Sequence, residues 1–132
     1  MISGFEILGA HPEADGIELR NTMQAVIDRV LIRKCRYGIH LVVRNRNVII
    51  ANCHIYENTD SGIFMDNVDL HQINIIGNHI SYCAHAGIRQ LDGDVHNVQI
   101  TGNDIEYNAG YTEGLSAEIL LEAPNGGIIS EY

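Results

Sequence analysis

The 132-residue sequence contains no tryptophan and only two phenylalanines, although 45% of its residues are hydrophobic. Any core that this chain forms is therefore aliphatic and built mainly from Ile, Val and Leu. Proline occurs only twice, whereas 13 glycines are available for turns. A chain of this length is enough for one domain, which we expect to span residues 1–132.

Long apolar runs are also absent. No stretch reaches the roughly 18 apolar residues of a membrane-spanning helix, so neither such a helix nor a membrane partner is expected. The first ten residues, MISGFEILGA, lack the basic segment and the cleavage site of a signal peptide. The compartment therefore stays unassigned, with an extracellular location expected if the chain is cut from a larger secreted protein.

Positive charge is scarce and unevenly distributed. The chain has 8 Lys and Arg residues against 17 Asp and Glu residues, for a net charge of −9. Residues 47–132 hold twelve acidic residues and a single basic one, Arg89. Because nucleic-acid affinity depends mainly on neutralising phosphates, this distribution argues against a nucleic-acid partner.

The strongest positive signal is a repeat of 25 residues. The segments RNVIIANCHIYEN (46–58), HQINIIGNHISYC (71–83) and HNVQITGNDIEYN (96–108) align without gaps. A period in the twenties indicates a solenoid, in which each coil buries its apolar face only against its neighbours. The aligned columns are Val48, Ile73 and Val98; Ile50, Ile75 and Ile100; Ile55, Ile80 and Ile105; and Asn58, Cys83 and Asn108.

Each coil reads as three short strands. The first follows a glycine and has the form Gly-Ile-x-Leu; the second is of the Asn-Val-x-Ile type, and the third is a short Cys-His-Ile or Asn-His-Ile segment. Apolar and polar residues alternate within them, which is typical of strands with one buried face. Five coils are predicted, whose first strands are GIEL (16–19), GIHL (38–41), GIFM (62–65), GIRQ (87–90) and GLSA (114–117).

Three cysteines, at positions 35, 53 and 83, are an odd number. The repeat places Cys35 and Cys83 in one inward column, two coils and therefore roughly 10 Å apart, which is too far for a disulfide. We expect all three to be buried thiols that pack as small hydrophobic side chains.

The Gly-Ile-x-Leu strands, the Asn-Val-x-Ile strands and the GNHI and GNDI segments resemble the right-handed parallel β-helix family, which includes pectate lyases, polygalacturonases, alginate lyases and epimerases, and phage tailspikes. The resemblance covers residues 4–121 and implies an all-β, right-handed parallel β-helix, either of these few coils alone or as a segment of a longer one. Both ends read as uncapped, which leads us to expect a homo-oligomer or part of a larger chain.

The resemblance also implies polysaccharide binding or processing in a groove on the outer face. There we expect His40 and Phe64, with Arg44, to bind the substrate, and Asp60, Asp66, His85, Arg89 and Glu118 to carry any acid/base or β-elimination chemistry. Ser116 is predicted to continue the outward column of Arg89. The acidic surface favours a neutral glycan, or an acidic one held through Ca²⁺.

The catalytic motifs of the family are missing, so no family residue transfers to this chain. There is no Asn-Thr-Asp followed by Gly-His-Gly, as in polygalacturonases, and no Asp-Pro-His-Asp or Asp-Pro-His-Glu, as in alginate epimerases. Lyase, epimerase or glycosidase activity therefore stands beside an alternative: a non-catalytic structural or adhesive module that self-associates.

Three further groups of residues are candidates for ligands. Asp69 and Asp94 share a column near Asp92, and such oxygen ligands suit Ca²⁺, although Arg44 can neutralise Asp69 without a metal. Stacked histidines near a carboxylate can bind Zn²⁺. Tyrosines on a third face can form a sugar platform. The histidines fall in two columns, His54 with His79 and Asp104, and His71 with His96; the tyrosines are Tyr82 and Tyr107, with Tyr56 or Tyr111.

Overall fold

The computed structural model describes residues 1–110 and 113–132 and consists of short parallel strands wound into a solenoid. Every described element is a strand, so the predicted all-β architecture is confirmed. Four of the five predicted coils are complete, the fifth, with β14 and β15, is partial, and a further partial coil precedes the first. Within the described ranges, no helix combines the length and the apolarity needed to cross a bilayer. The strands are β1 (Ile2–Ser3), β2 (Glu6–Leu8), β3 (Ile17–Met23), β4 (Val26–Asp28), β5 (Leu31–Arg33), β6 (Ile39–Ala51), β7 (His54–Tyr56), β8 (Ser61–Asp66), β9 (Asp69–Ile76), β10 (His79–Ser81), β11 (Ala86–Leu91), β12 (Asp94–Thr101), β13 (Asp104–Glu106), β14 (Ala117–Glu122) and β15 (Ile128–Ser130).

The strands form three rows that run along the solenoid. The first row contains β3, the start of β6, β8, β11 and β14; the second contains β1, β4, the rest of β6, β9, β12 and β15. These two rows belong to one hydrogen-bonded sheet, and β2, β5, β7, β10 and β13 form a second sheet, the third row. Every pairing is parallel, and adjacent coils are in register apart from one shift between β3 and β6, so residues of equivalent position lie directly above one another.

The predicted inward columns are confirmed. Ile50 pairs with Ile75 and Ile75 with Ile100, and the first two are fully buried while Ile100 packs against the core from its edge. Each fully buried isoleucine contributes about 1.5–3 kcal/mol by removing apolar surface from water. The three cysteines are free and buried, as expected, and burial raises the pKa of the Cys83 thiol to about 11.

The glycines before the first-row strands are required by close approach of the backbones. None of Gly16, Gly38, Gly62 and Gly87 has a positive φ. A Cβ built on Gly62 would lie 2.7 Å from the carbonyl oxygen of Gly87 and 2.7 Å from Cγ2 of Ile80. Any side chain here would therefore push neighbouring coils apart.

Positive φ angles occur instead at the bends inside the second row. Asn47, Gln72 and Asn97 share one column and have φ values of 54°, 65° and 56°. The side chains at these positions are exposed, and the left-handed backbone conformation bends the strand there. In the second coil Val43 is an extra residue, also at positive φ, where the register between β3 and β6 shifts.

Asparagine side chains connect the coils at the turns before the third-row strands, where Asn78 is buried and Asn103 is half-buried. The Asn78 side chain accepts a hydrogen bond from the Cys53 N–H at 2.9 Å and donates one to the Ile50 carbonyl at 3.0 Å. Asn103 repeats this arrangement one coil further on, accepting from the Asn78 N–H and donating to the Ile75 carbonyl. These amides satisfy backbone groups at the turns that the strand ladders leave unpaired.

We expect Asn78→Ala to lower the free energy of unfolding by roughly 2–4 kcal/mol, because two buried backbone groups each lose a partner worth about 1–3 kcal/mol. Urea unfolding monitored by circular dichroism measures this loss. Asn74→Ala is the matched control, since Asn74 is exposed and four positions away, and its effect should be below about 0.5 kcal/mol. Equal effects of the two substitutions would contradict the assignment.

Candidate functional site

The outer face of the first row carries a column of chemically diverse side chains. Glu18 pairs with His40, His40 with Phe64 and Phe64 with Arg89, as the repeat predicts. The next member is Leu120, so the predicted position of Ser116 is wrong. The last first-row strand begins at Ala117, because the connection after β13 is longer than the earlier ones.

The same shift corrects the position of Glu118. Glu122, and not Glu118, pairs with Leu91 in the outward column. The Glu118 carboxylate accepts hydrogen bonds from the backbone N–H of Asn108 at 3.1 Å and from its side-chain amide at 2.6 Å. Glu118 thus takes the structural place of the next turn asparagine, and its carboxylate is engaged there.

His40 lies between two carboxylates. Its Nδ1 is 2.8 Å from Asp15 Oδ2, and its Nε2 is 2.8 Å from Asp66 Oδ2. Asp15 also accepts two hydrogen bonds from the Arg36 guanidinium, at 3.0 and 3.1 Å. The imidazole is therefore fixed at both nitrogens, and Asp66 is the more exposed of its two carboxylate partners.

Aromatic rings fill the space beside His40. The Tyr37 ring lies 4.7 Å from the rings of both His40 and Phe64, and the Arg89 guanidinium lies 4.7 Å above the Phe64 ring. Phe64 is only 3% exposed. Phe64 packs against Tyr37 and Arg89 and offers little surface to a ligand, although we expected it to bind substrate.

The remaining charged groups form a second set around Arg89. Asp60 and His85 share a turn column, as predicted, with His85 Nδ1 at 3.4 Å from Asp60 Oδ1. Arg89 lies 3.8 Å from the same oxygen and 3.3 Å from Glu122 Oε1. Arg89 therefore pairs with Asp60 and Glu122, and not with Asp66.

These two sets together are the outer cluster: Asp15, Arg36, Tyr37, His40, Asp60, Phe64, Asp66, His85, Arg89 and Glu122. Three of its carboxylates use only one of their two oxygens in contacts within the protein. Asp60, Asp66 and Glu122 each use one oxygen in the contacts above, and their second oxygens accept no hydrogen bond from the described residues. Among the described residues, none of these second oxygens is buried without a hydrogen-bond partner. They are available to an outside ligand.

Four members of the outer cluster were not recognised in the sequence: Asp15, Arg36, Tyr37 and Glu122. Asp15 and Tyr37 directly precede the aligned glycines Gly16 and Gly38, so the glycine register alone would have placed them in one column. The same signal could not have found Glu122, because the long connection before it hides the register.

The predicted Ca²⁺ ligands Asp69, Asp92 and Asp94 are not brought together. Asp69 and Asp94 do pair, but Asp69 receives two hydrogen bonds of 2.9 Å from Arg46, and these lower the pKa of its carboxyl. Asp92 instead accepts hydrogen bonds from the backbone and side chain of Asn125, which lower its pKa.

Arg44 lies in the second row, 3.6 Å from Asp69 Oδ2. It is separated from the first-row face by the bend at Val43. The structure therefore does not place Arg44 with His40 and Phe64, with which we expected it to bind substrate.

The predicted histidine and tyrosine columns are present. The rings of His54 and His79 stack at 4.6 Å, and those of Tyr82 and Tyr107 stack at 5.3 Å. Tyr56 packs on His54 and does not extend the tyrosine pair, while Tyr111 lies outside the described residues.

A surface groove of about 360 Å³ lies in the second row, away from the outer cluster. Its exposed rim consists of uncharged amides from three successive coils, and we call it the amide groove. Its amide side chains are Asn47, Gln72, Asn74, Asn97 and Gln99.

The Asp15 carboxyl gives the outer cluster a defined sensitivity to acid. Burial raises its pKa, but hydrogen bonds from Arg36 and His40 outweigh burial and hold the pKa below the ordinary value of 3.8. A carboxyl with a lowered pKa in the folded state stabilises the protein above its unfolded pKa. That contribution is lost as the pH falls from about 4 through the folded value.

We therefore expect Asp15→Asn to lower stability at neutral pH and to flatten the loss of stability on acidification. Urea titrations between about pH 6 and pH 2 measure both effects. Glu13→Gln, which removes an exposed carboxyl two residues away, is the control and should leave the profile unchanged. An Asp15→Asn profile parallel to that of the unsubstituted protein would refute this role.

The family model described as a right handed beta helix region matches residues 6–128. No curated protein and no solved structure matches the chain.

Proposed function

Since the chain belongs to the right-handed β-helix family over residues 6–128, we propose that it binds a polysaccharide along the outer cluster. One observation carries the proposal: in Asp60, Asp66 and Glu122 one carboxylate oxygen is held in place, and the other accepts no hydrogen bond from residues 1–110 and 113–132. Sugar hydroxyls are donors that such fixed acceptors can bind without further ordering of the side chains.

The arrangement of these acceptors suits an extended chain. Asp66 and Glu122 end β8 and β14 and share one outward column, two rungs apart. Successive rungs are separated by about 4.8 Å, so these two acceptors lie roughly 10 Å apart along the solenoid axis, while Asp60 precedes β8 at the other end of its rung. Tyr37 adds a partly exposed aromatic ring beside them. The acidic excess of residues 47–132 favours a neutral glycan over an acidic one.

The pairings within the outer cluster favour binding over cleavage. Both nitrogens of His40 are engaged, His85 faces Asp60, and Arg89 is held by Asp60 and Glu122. None of these basic groups is left without an acidic neighbour, as a free base for β-elimination would be.

A glycosidase-like or lyase-like activity at Asp66 is the second candidate, and the Asp15–His40–Asp66 chain supports it. One oxygen of Asp66 contacts His40 Nε2, and the other accepts no hydrogen bond from the described residues. Asp66 can therefore exchange a proton with a substrate, while His40 offsets the resulting change in charge on the carboxylate. Asp60 would be the second carboxyl that glycoside chemistry requires. Arg89 and His85 would stabilise developing negative charge.

A non-catalytic structural or adhesive module that self-associates is the alternative. The mutual pairing of charges favours it, since a solvated polar face needs no ligand. It differs from the proposal in two results: a soluble glycan would not bind, and sedimentation would show assemblies of the chain.

We expect Asp66→Asn to weaken binding of a neutral glycan by about 10- to 100-fold, because a charge-assisted hydrogen bond is worth about 1.5–3 kcal/mol. The measurement is isothermal titration calorimetry with the tightest ligand of a glycan panel. Gln72→Ala in the amide groove is the matched control, since it removes an exposed amide from another face.

Incubation of the same panel with the protein, followed by assays for new reducing ends and for unsaturated products, separates binding from processing. Turnover abolished by Asp66→Asn would establish the second candidate. Absence of binding across the panel, or binding lost only in Gln72→Ala, would refute the outer cluster as the site.

A further inference from the structure

The second row contains a histidine–carboxylate group that the proposed function does not use. β9 and β12 carry the same short pattern, Asp69-Leu-His71 and Asp94-Val-His96, in which residues two apart point to one face. The register pairs Asp69 with Asp94 and His71 with His96. Four side chains that commonly bind metals therefore stand together on two adjacent coils.

The two carboxylates are not equivalent. Asp69 is neutralised by Arg46, through two hydrogen bonds of 2.9 Å, and by the nearby Arg44. The strand beyond Asp94 offers Ile128 at the equivalent position. Among the described residues, the single cationic contact of Asp94 is with His96. Its negative charge thus lacks the arginine that balances its neighbour.

Unsatisfied atoms converge at Asp94. In the described part of the chain, three side-chain atoms are buried without a hydrogen-bond partner: His71 Nε2 and Asp94 Oδ1 in this group, and His79 Nε2 in the third row. Among those residues, the carboxylate oxygen nearest to His71 Nε2 is Asp69 Oδ1 at 3.6 Å, beyond hydrogen-bond distance. His96 Nε2 lies 2.5 Å from Asp94 Oδ1 but makes no hydrogen bond to it. Buried polar atoms without partners are uncommon, and an unseen ion is one of their ordinary explanations.

We propose that His71, Asp94 and His96 bind one divalent transition-metal ion, with Zn²⁺ as the preferred ion. Their candidate ligand atoms all lie within 4.8 Å of one another. Zn²⁺ binds imidazole nitrogen and carboxylate oxygen at about 2.0–2.2 Å, so small side-chain rotations bring the three atoms around one ion. Two nitrogen ligands favour Zn²⁺, Co²⁺ or Ni²⁺ over Ca²⁺, which prefers oxygen.

The orientation of the rings supports this assignment. The His71 and His96 rings meet edge to face, with centroids 4.8 Å apart and planes at 66°. His54 and His79, which occupy the equivalent arrangement in the third row, stack nearly parallel at 11°. Parallel rings maximise contact with each other, whereas the tilted pair can direct a nitrogen from each ring toward a shared point.

A second histidine–carboxylate group, His79 with Asp104 and Glu106, provides an internal comparison. It contains one imidazole, and the Asp104 side chain is 67% exposed. Its His79 Nε2 is also buried without a hydrogen-bond partner, but among the described residues no oxygen of Asp104 or Glu106 is, in contrast to Asp94 Oδ1. Its carboxylates can therefore remain hydrated, and the group has less need of an ion. Removing His79 therefore tests for non-specific histidine binding without touching the proposed site.

The experiment is titration of chelator-treated full-length chain with ZnCl₂ by calorimetry, and with CoCl₂ by visible absorption. We expect one tight ion per chain, binding weakened at least tenfold in Asp94→Asn and His96→Ala, and binding within twofold of the original in His79→Ala. CaCl₂ in excess should not compete. Because the ion would join the third and fourth complete coils, Zn²⁺ should also raise the melting temperature, and less so in Asp94→Asn.

Asp94→Asn keeps the shape of the side chain and guards against loss of folding, which circular dichroism monitors. Binding unaffected by both Asp94→Asn and His96→Ala would overturn the proposal, as would binding abolished by His79→Ala. Absence of any saturable Zn²⁺ binding would also overturn it. The readout is metal binding alone, so the result is independent of whether a glycan binds the outer cluster.

Discussion

Parallel hydrogen bonding between successive coils, in register, is the constraint on which the rest of this structure depends. It places each residue over its equivalent about 4.8 Å away and repeats this through the whole stack. Inside, the repetition aligns isoleucines such as Ile50 and Ile75 into continuous apolar columns. At the crowded turns it requires glycine, because Gly62 leaves no room for a Cβ between the coils.

The same constraint creates a difficulty for polar groups, because stacking places like residues beside like. Buried asparagines resolve it easily, since an amide both donates and accepts and can serve two coils at once. Charged residues need a different solution. On the outer face the column changes chemistry from rung to rung, His40 to Phe64 to Arg89, while the carboxylates stand in neighbouring columns. Each charge therefore pairs with an opposite charge in a neighbouring column, on the same coil or on a coil nearby.

Where the sequence does not supply such a partner, the stack concentrates unsatisfied groups. All arginines except Arg89 lie within residues 20–46, and Arg89 is on the first-row face. Asp69 is therefore balanced by Arg46, whereas Asp94, one rung later, is not balanced by an arginine. The inferred metal site follows from this inequality within a regular column. The outer cluster shows the opposite outcome, in which nearly every charge is paired and only the second oxygens of three carboxylates remain for a ligand. The inferred metal site and the outer cluster therefore differ in whether positive charges along the repeat balance the negative ones.

The repeat of 25 residues determined the strands, the inward columns, the absence of disulfides and the pairings of Asp60 with His85 and Asp69 with Asp94. It could do so because strand register follows directly from equal spacing. Only the tertiary structure decided the effects of connections of unequal length. These are the shift that places Glu122, and not Glu118, in the outward column, and the contact of Asp15 with His40. The tertiary structure also decided the direction of side chains. Arg89 can reach several carboxylates, and its packing on Phe64 directs it to Asp60 and Glu122. Spacing fixes the height of a residue along the solenoid, whereas lateral neighbours depend on loop length and rotamer, which a repeat does not encode.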